Sequence, residues 1–148
     1  MNLGTDIEKC YSMTTVDSSW TASGFANIVA GNITDCYAAG ERSGSSVYGF
    51  NDYDTVAGNL TDCYFDAETT GVADPSKAGL TGLPTALMKQ QSNFSGWDFT
   101  SIWSIDEIST YPYLLIQSGS NKPIGTEVFA GGSGTLADPY QVATAKQL

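Results

Sequence analysis

The chain has no histidine. That absence excludes histidine-based nucleophilic triads, histidine-containing zinc sites and the commonest general base in proteins. Cationic residues are also scarce: six Lys and Arg stand against sixteen Asp and Glu, a formal net charge of −10. Such a surface repels phosphate backbones and anionic lipid heads, so neither nucleic acid nor a membrane surface is an expected partner. No stretch approaches the roughly 18 consecutive apolar residues of a spanning helix, so membrane insertion is not expected. Met1 opens onto "NLGTDIEKC" and not onto a basic and then apolar leader. Cysteine is limited to three, an odd count that does not suit a disulfide framework.

Turn formers are plentiful. Sixteen Gly, abundant Ser, Thr, Asn and Asp, and a charged fraction of only 15% describe an all-β chain with many corners, not a helical bundle. A length of 148 residues allows one domain with a real core, plus attachments.

The strongest signal is internal repetition. Cys10, Cys36 and Cys63 recur at intervals of 26 and 27 residues, each followed by tyrosine (Tyr11, Tyr37, Tyr64). Three residues before each cysteine stands an aliphatic residue (Ile7, Ile33, Leu60), and four before stands an Asx residue (Asp6, Asn32, Asn59). Gly24-Phe25 and Gly49-Phe50 precede the second and third copies, with a two-residue insertion between them. A period in the twenties signals a solenoid, in which one repeat cannot bury its own apolar face and stacking does so instead. One copy extended at about 3.3 Å per residue makes a perimeter of about 86 Å, enough for three short strands and three corners. Equivalent residues then form ladders. Cys10, Cys36 and Cys63 and Ile7, Ile33 and Leu60 are the expected core rungs, since free cysteine is small and among the most buried side chains. Ile33 and Cys36 cannot both face inward along a straight strand, which predicts a corner near Thr34-Asp35. Strand alternation turns Tyr11, Tyr37 and Tyr64 outward. Adjacent cysteine rungs lie close enough for a disulfide in principle, but inert thiols are the preferred reading.

"GNITDCYAAG" and "GNLTDCYFD", following their Gly-Phe corners, resemble the GLUG-motif repeats of bacterial surface and secreted proteins, which occur in adhesin-like proteins and as accessory regions of some secreted peptidases. Residues 79–116 are similar to the segment that commonly closes such an array, and 129–148 to the opening of a further module. The tetrapeptide at the corner departs from the family pattern, reading "GFAN" and "GFND", and the first copy has no Gly corner. The resemblance implies a right-handed parallel β-helix of about three coils in an extracellular or cell-surface protein. It implies no catalytic residue.

The chain divides on this reading into repeats over 1–80, a helix-plus-strands cap over 81–117, and a linker with the start of another module over 118–148. Pro84 opens "PTALMKQQSNF", which places Leu87, Met88, Gln91 and Phe94 at helical spacing and predicts a short amphipathic helix ending near Gly96. "FTSIWSI" and "YPYLLI" read as strands. Together they would form a lid over one end of the stack, with Trp97, Phe99, Trp103 and Leu115 in contact. "QSGSNKPIGTE" reads as a linker, and both termini read as cuts through a longer protein.

Asp35 and Asp62 are outward rungs, with Asp66 and Glu68 nearby, and paired carboxylates could serve a carbohydrate-active lyase or hydrolase. Lys9 occupies the same place in the first copy, so a solvated charge ladder is preferred. Asn51, Asp52 and Asp54 supply the hard oxygen ligands calcium takes, without the spacing or the closing acid of a helix-loop-helix site. An acidic corner without metal is preferred, and no other cofactor is implied. Tyr11, Tyr37 and Tyr64, repeated at coil spacing, could hold a glycan, although packing among themselves is the simpler role. The resulting expectation is a non-catalytic structural or interaction module of an adhesin-like protein, with glycans or neighbouring surface proteins as partners and end-to-end self-association through open strand edges. The alternatives are a carbohydrate-active enzyme and an accessory module of a secreted peptidase.

Overall fold

A computed structural model describes residues 6–26, 31–51, 58–73, 75, 77–117 and 123. Within them the first copy contributes β1 (Ile7–Glu8), β2 (Tyr11–Ser12), β3 (Val16–Asp17) and β4 (Thr21–Ser23). The second contributes β5 (Ile33–Thr34), β6 (Tyr37–Ala38), β7 (Arg42–Ser43) and β8 (Ser46–Tyr48). The third contributes β9 (Leu60–Thr61) and β10 (Cys63–Asp66) before leaving the pattern for a helical turn, α1 (Ala67–Thr70). Successive copies pair strand on strand, all parallel. β1, β5 and β9 align Ile7 with Ile33 and Ile33 with Leu60, and β2, β6 and β10 align Tyr11 with Tyr37 and Tyr37 with Tyr64. β3 pairs with β7, and β4 with β8. The fold is mainly β, built on parallel pairing of repeat-equivalent positions.

The first two copies each hold four strands where three were expected, because a sharp corner splits one flank. Lys9, Asp35 and Asp62, each immediately before its cysteine, adopt φ of 54°, 53° and 49°. This left-handed conformation redirects the chain so that Ile33 and Cys36 both point into one core. Aspartate tolerates it better than most residues, and lysine less well. The corner expected near Thr34-Asp35 is therefore present, and it recurs once more. β11 (Leu80–Leu83) pairs with β10 so that Leu80 aligns with Cys63, and Gly79 before it has φ of 76°. A Cβ at Gly79 would lie 1.8 Å from the Leu60 carbonyl oxygen, so glycine is required there by space as well as by φ.

Between the copies, polar ladders satisfy backbone donors. Asp6 Oδ1 accepts from the Asn32 amide at 2.8 Å, and Asn32 Oδ1 from the Asn59 amide at 3.1 Å. Phe25 and Phe50 stack with centroids 4.7 Å apart and planes 5° from parallel. The Arg42 guanidinium spans a bend, donating to the carbonyls of Thr14, Glu41 and Gly24.

Two apolar clusters result. One lies inside the strands: Ile33, Cys36, Ala38, Phe50, Leu60, Cys63, Phe65 and Leu80, with Ile7 and Phe25 partly buried against it. The other lies outside them, between the tyrosine face of β2, β6 and β10 and the segment after β11. That segment corrects the expected lid in three respects. The helix from Pro84 is only α2 (Thr85–Met88), followed by a separate 3₁₀ turn over Gln91–Asn93. It breaks because Gln90 turns extended, at φ −132° and ψ 121°, while the Lys89 carbonyl accepts from the Ile108 amide. β12 (Trp103–Ser104) and β13 (Tyr113–Leu114) pair antiparallel, and Leu115 leaves the strand for a 3₁₀ turn with its side chain exposed. The segment covers a flank, across the copies, and not an end: the side chains it buries are Tyr37 and Tyr64 of the central strands.

Candidate functional site

The tyrosine ladder forms as expected, but its surface is covered. Tyr11 and Tyr37 rings stack at 5.1 Å, and Tyr37 is wedged against Tyr111 at 6.1 Å and against Trp97 and Trp103 at 6.2 and 6.3 Å. Tyr64 meets Phe94 at 4.9 Å, edge to face. Tyr37 is 0% exposed and Tyr64 6%, while Tyr11 is half-buried. The Tyr37 hydroxyl donates to the Pro112 carbonyl at 2.8 Å, and burial holds its pKa well above the ordinary tyrosine value. Tyr11 donates to Gln117 Oε1 at 2.9 Å. Alternation correctly turns these rings away from the inner core, but the later segment then buries two of them, so the ladder offers a glycan no continuous aromatic face.

The cysteine rungs are free thiols. Cys36 and Cys63 are buried, and burial pushes them up to about 12 and about 11. Cys10 departs from the expected core ladder: it lies in the first copy, has no described copy beyond it, and is exposed. Its backbone amide donates to Cys36 Sγ at 3.4 Å, and the Cys36 thiol donates to the Thr34 carbonyl at 3.2 Å. These contacts hold the sulfurs within the backbone ladder. Ile33 and Leu60 are buried, and Ile7 is half-buried at the same end as Cys10.

The carboxylates divide by role. Asp35 and Asp62 occupy equivalent left-handed corners. Asp35 is raised above the ordinary carboxylate value by burial, opposed by Lys9 and reinforced by Asp62 and Glu8. Lys9 makes its ion pair with Glu8, at 2.9 Å, and acts on Asp35 only at longer range. Asp66 is not an outward acid. It is fully buried, caps α1 by accepting from the amides of Glu68 and Thr69 at 2.9 and 2.8 Å, and also accepts from Thr85 Oγ1 at 2.7 Å and the Tyr111 hydroxyl at 2.6 Å. Glu68 accepts from the Thr85 amide at 3.0 Å. Both acids therefore tie the flanking segment to the strands. Of the proposed calcium ligands, Asn51 is buried where residue 26 bridges to it, and Asp52 and Asp54 lie outside the described residues. Among the described residues no three metal-ligating Cys, Asp or Glu side chains converge.

No family model, curated protein or solved structure matches this chain. Among the described residues, no helix is long and apolar enough to cross a membrane.

One exposed feature escaped the sequence reading. Trp20 is 82% exposed, the single exposed aromatic among the described residues. It stands beside a shallow depression of about 300 Å³ lined by Ser19, Trp20, Thr21, Ser45 and Ser46. β4 and β8 align Thr21 with Ser46, so Trp20 occupies the place that Ser45 takes one copy later. The spacing of paired residues falls from 26 between Val16 and Arg42 to 25 between Thr21 and Ser46, so the first copy holds one residue more beside Trp20, and that change of spacing is the signal in the sequence.

Proposed function

We propose that the chain is a non-catalytic interaction module of a surface or secreted, adhesin-like protein, built as a short right-handed β-solenoid of about three coils. The observation that carries this reading is the register. Three successive copies pair in parallel with Ile7, Ile33 and Leu60 aligned on one flank and Tyr11, Tyr37 and Tyr64 on the next. Repeats that pair this way build length from identical layers, which suits a spacer or an extended contact surface. The resemblance to GLUG-motif repeats points the same way. β1 to β4 pair on one side only among the described residues, and an open strand edge supports end-to-end association by strand addition.

The test is to lengthen the stack. Three further copies of residues 32–58, inserted between positions 58 and 59, should extend the molecule by about 14 Å along one axis at constant cross-section in solution X-ray scattering. Growth in all directions would overturn the solenoid. Protease added to intact source cells should remove the native protein, and full protection would overturn the surface location.

A further inference from the structure

We propose that Trp20 and the hydroxyl groups beside it form a binding site for a neutral sugar. This inference builds on the interaction-module reading and assigns its contact surface. The depression is small, at the lower end of the roughly 300–1,000 Å³ usual for ligand sites. Its lining is unusual in chemistry: one indole face among four hydroxyl side chains, Ser19, Thr21, Ser45 and Ser46, with no charged group. A protein partner would find a lone aromatic without the surrounding apolar contacts that exclude water around an interface anchor. A pyranose ring fits better, because it carries an apolar C–H face for the indole and a rim of hydroxyls that both donate and accept. Serine and threonine hydroxyls match that dual capacity. The net charge of −10 disfavours uronic, sialylated or sulfated sugars, which leaves neutral ones.

The site is also held in shape before any ligand arrives. The Trp20 amide donates to Ser18 Oγ at 3.2 Å, and the Trp20 carbonyl accepts from the Ser46 amide at 3.0 Å. Ser45 Oγ donates to the Ser19 carbonyl at 2.9 Å, and Ser43 Oγ to Asp17 Oδ1 at 2.5 Å. Both ends of the Trp20 peptide are thus fixed by neighbours while the indole projects into solvent. Binding would then order the Trp20 side chain but not its backbone. The Ser45 hydroxyl keeps its acceptor lone pairs for a ligand, since its bond to Ser19 uses only the proton.

The test uses the whole chain and short neutral oligosaccharides of glucose, galactose, mannose and N-acetylglucosamine. Trp97 and Trp103 are 7% and 0% exposed, so acrylamide quenching of the native protein reports on Trp20. At least one of these sugars should protect the fluorescence from acrylamide. Trp20→Ala should weaken its binding about tenfold or more, at an unchanged melting temperature. Polygalacturonate should not bind. The site is overturned if no neutral oligosaccharide binds, if W20A binds as tightly as the parent, or if Trp20 becomes shielded as protein concentration rises, which would make it a contact between copies. Undiminished binding by W20A removes this site and leaves the module standing, whereas failure of the lengthened chain to extend removes the module whatever Trp20 binds.

Discussion

Tyr11 and Tyr37, one repeat apart, lie face to face with ring centroids 5.1 Å apart and planes 6° from parallel. A pair in this register requires the two copies to be matched residue for residue on that flank. The far side of Tyr37 then packs on Tyr111, and its edge meets Trp97 and Trp103. One side chain thereby joins the repeats to the segment that follows them.

Tyr37→Ala should accordingly cost about 3–5 kcal/mol, in the range for deleting a buried aromatic. Tyr37→Phe keeps the ring and loses the hydroxyl's bond to the Pro112 carbonyl and its longer contact with Met13 Sδ, and should cost about 1–3 kcal/mol. Urea denaturation of the two variants checks the ratio. Equal costs would mean that the hydroxyl, and not the ring, holds the flank together.

Asp35→Asn should stabilise the protein at neutral pH. The Asp35 pKa is raised in the fold, chiefly by burial, so the folded state disfavours its ionised form. The penalty is absent below the ordinary value of 3.8, grows as pH rises through that value toward the folded pKa, and is constant above it. The advantage of D35N should therefore vanish in acid, below pH 3.8. Asparagine also keeps the left-handed corner, φ 53°, accessible. Thermal melts of both proteins across the acid range measure the difference.

Thiol labelling separates the three cysteines. Cys10 is exposed and should react with a maleimide in the native state, while Cys36 and Cys63, buried and pushed up to about 12 and about 11, should react only on unfolding. Mass spectrometry before and after denaturant counts the labels. Fast native labelling at Cys63 would contradict the buried rung.

Ile7, Ile33 and Leu60 reveal the register because near-constant spacing and like aliphatic chemistry coincide at those places. The corner near Thr34-Asp35 follows from a conflict between two inward side chains, Ile33 and Cys36. The cover over Tyr37 and Tyr64 was not legible, because alternation decides which side of a strand a ring occupies and says nothing of what arrives from elsewhere in the chain. The helix after Pro84 had helical spacing through Phe94, yet the Lys89 carbonyl bonded to the Ile108 amide and the chain turned at Gln90. Gly79-Leu80 returned to the cysteine rung without any cysteine, so no repeated motif marked it. Trp20 is hard to read for the converse reason: it stands where the spacing between copies changes, and no recurrence marks it.

The left-handed bend at Lys9, Asp35, Asp62 and Gly79 is reached by connections of unequal length and by three different amino acids. The register between neighbouring copies is therefore set at recurring positions, and the connections between them need not match in length. A protein assembled on such terms can change what it presents outward, an indole here and a serine there, while the rows that hold it together stay the same.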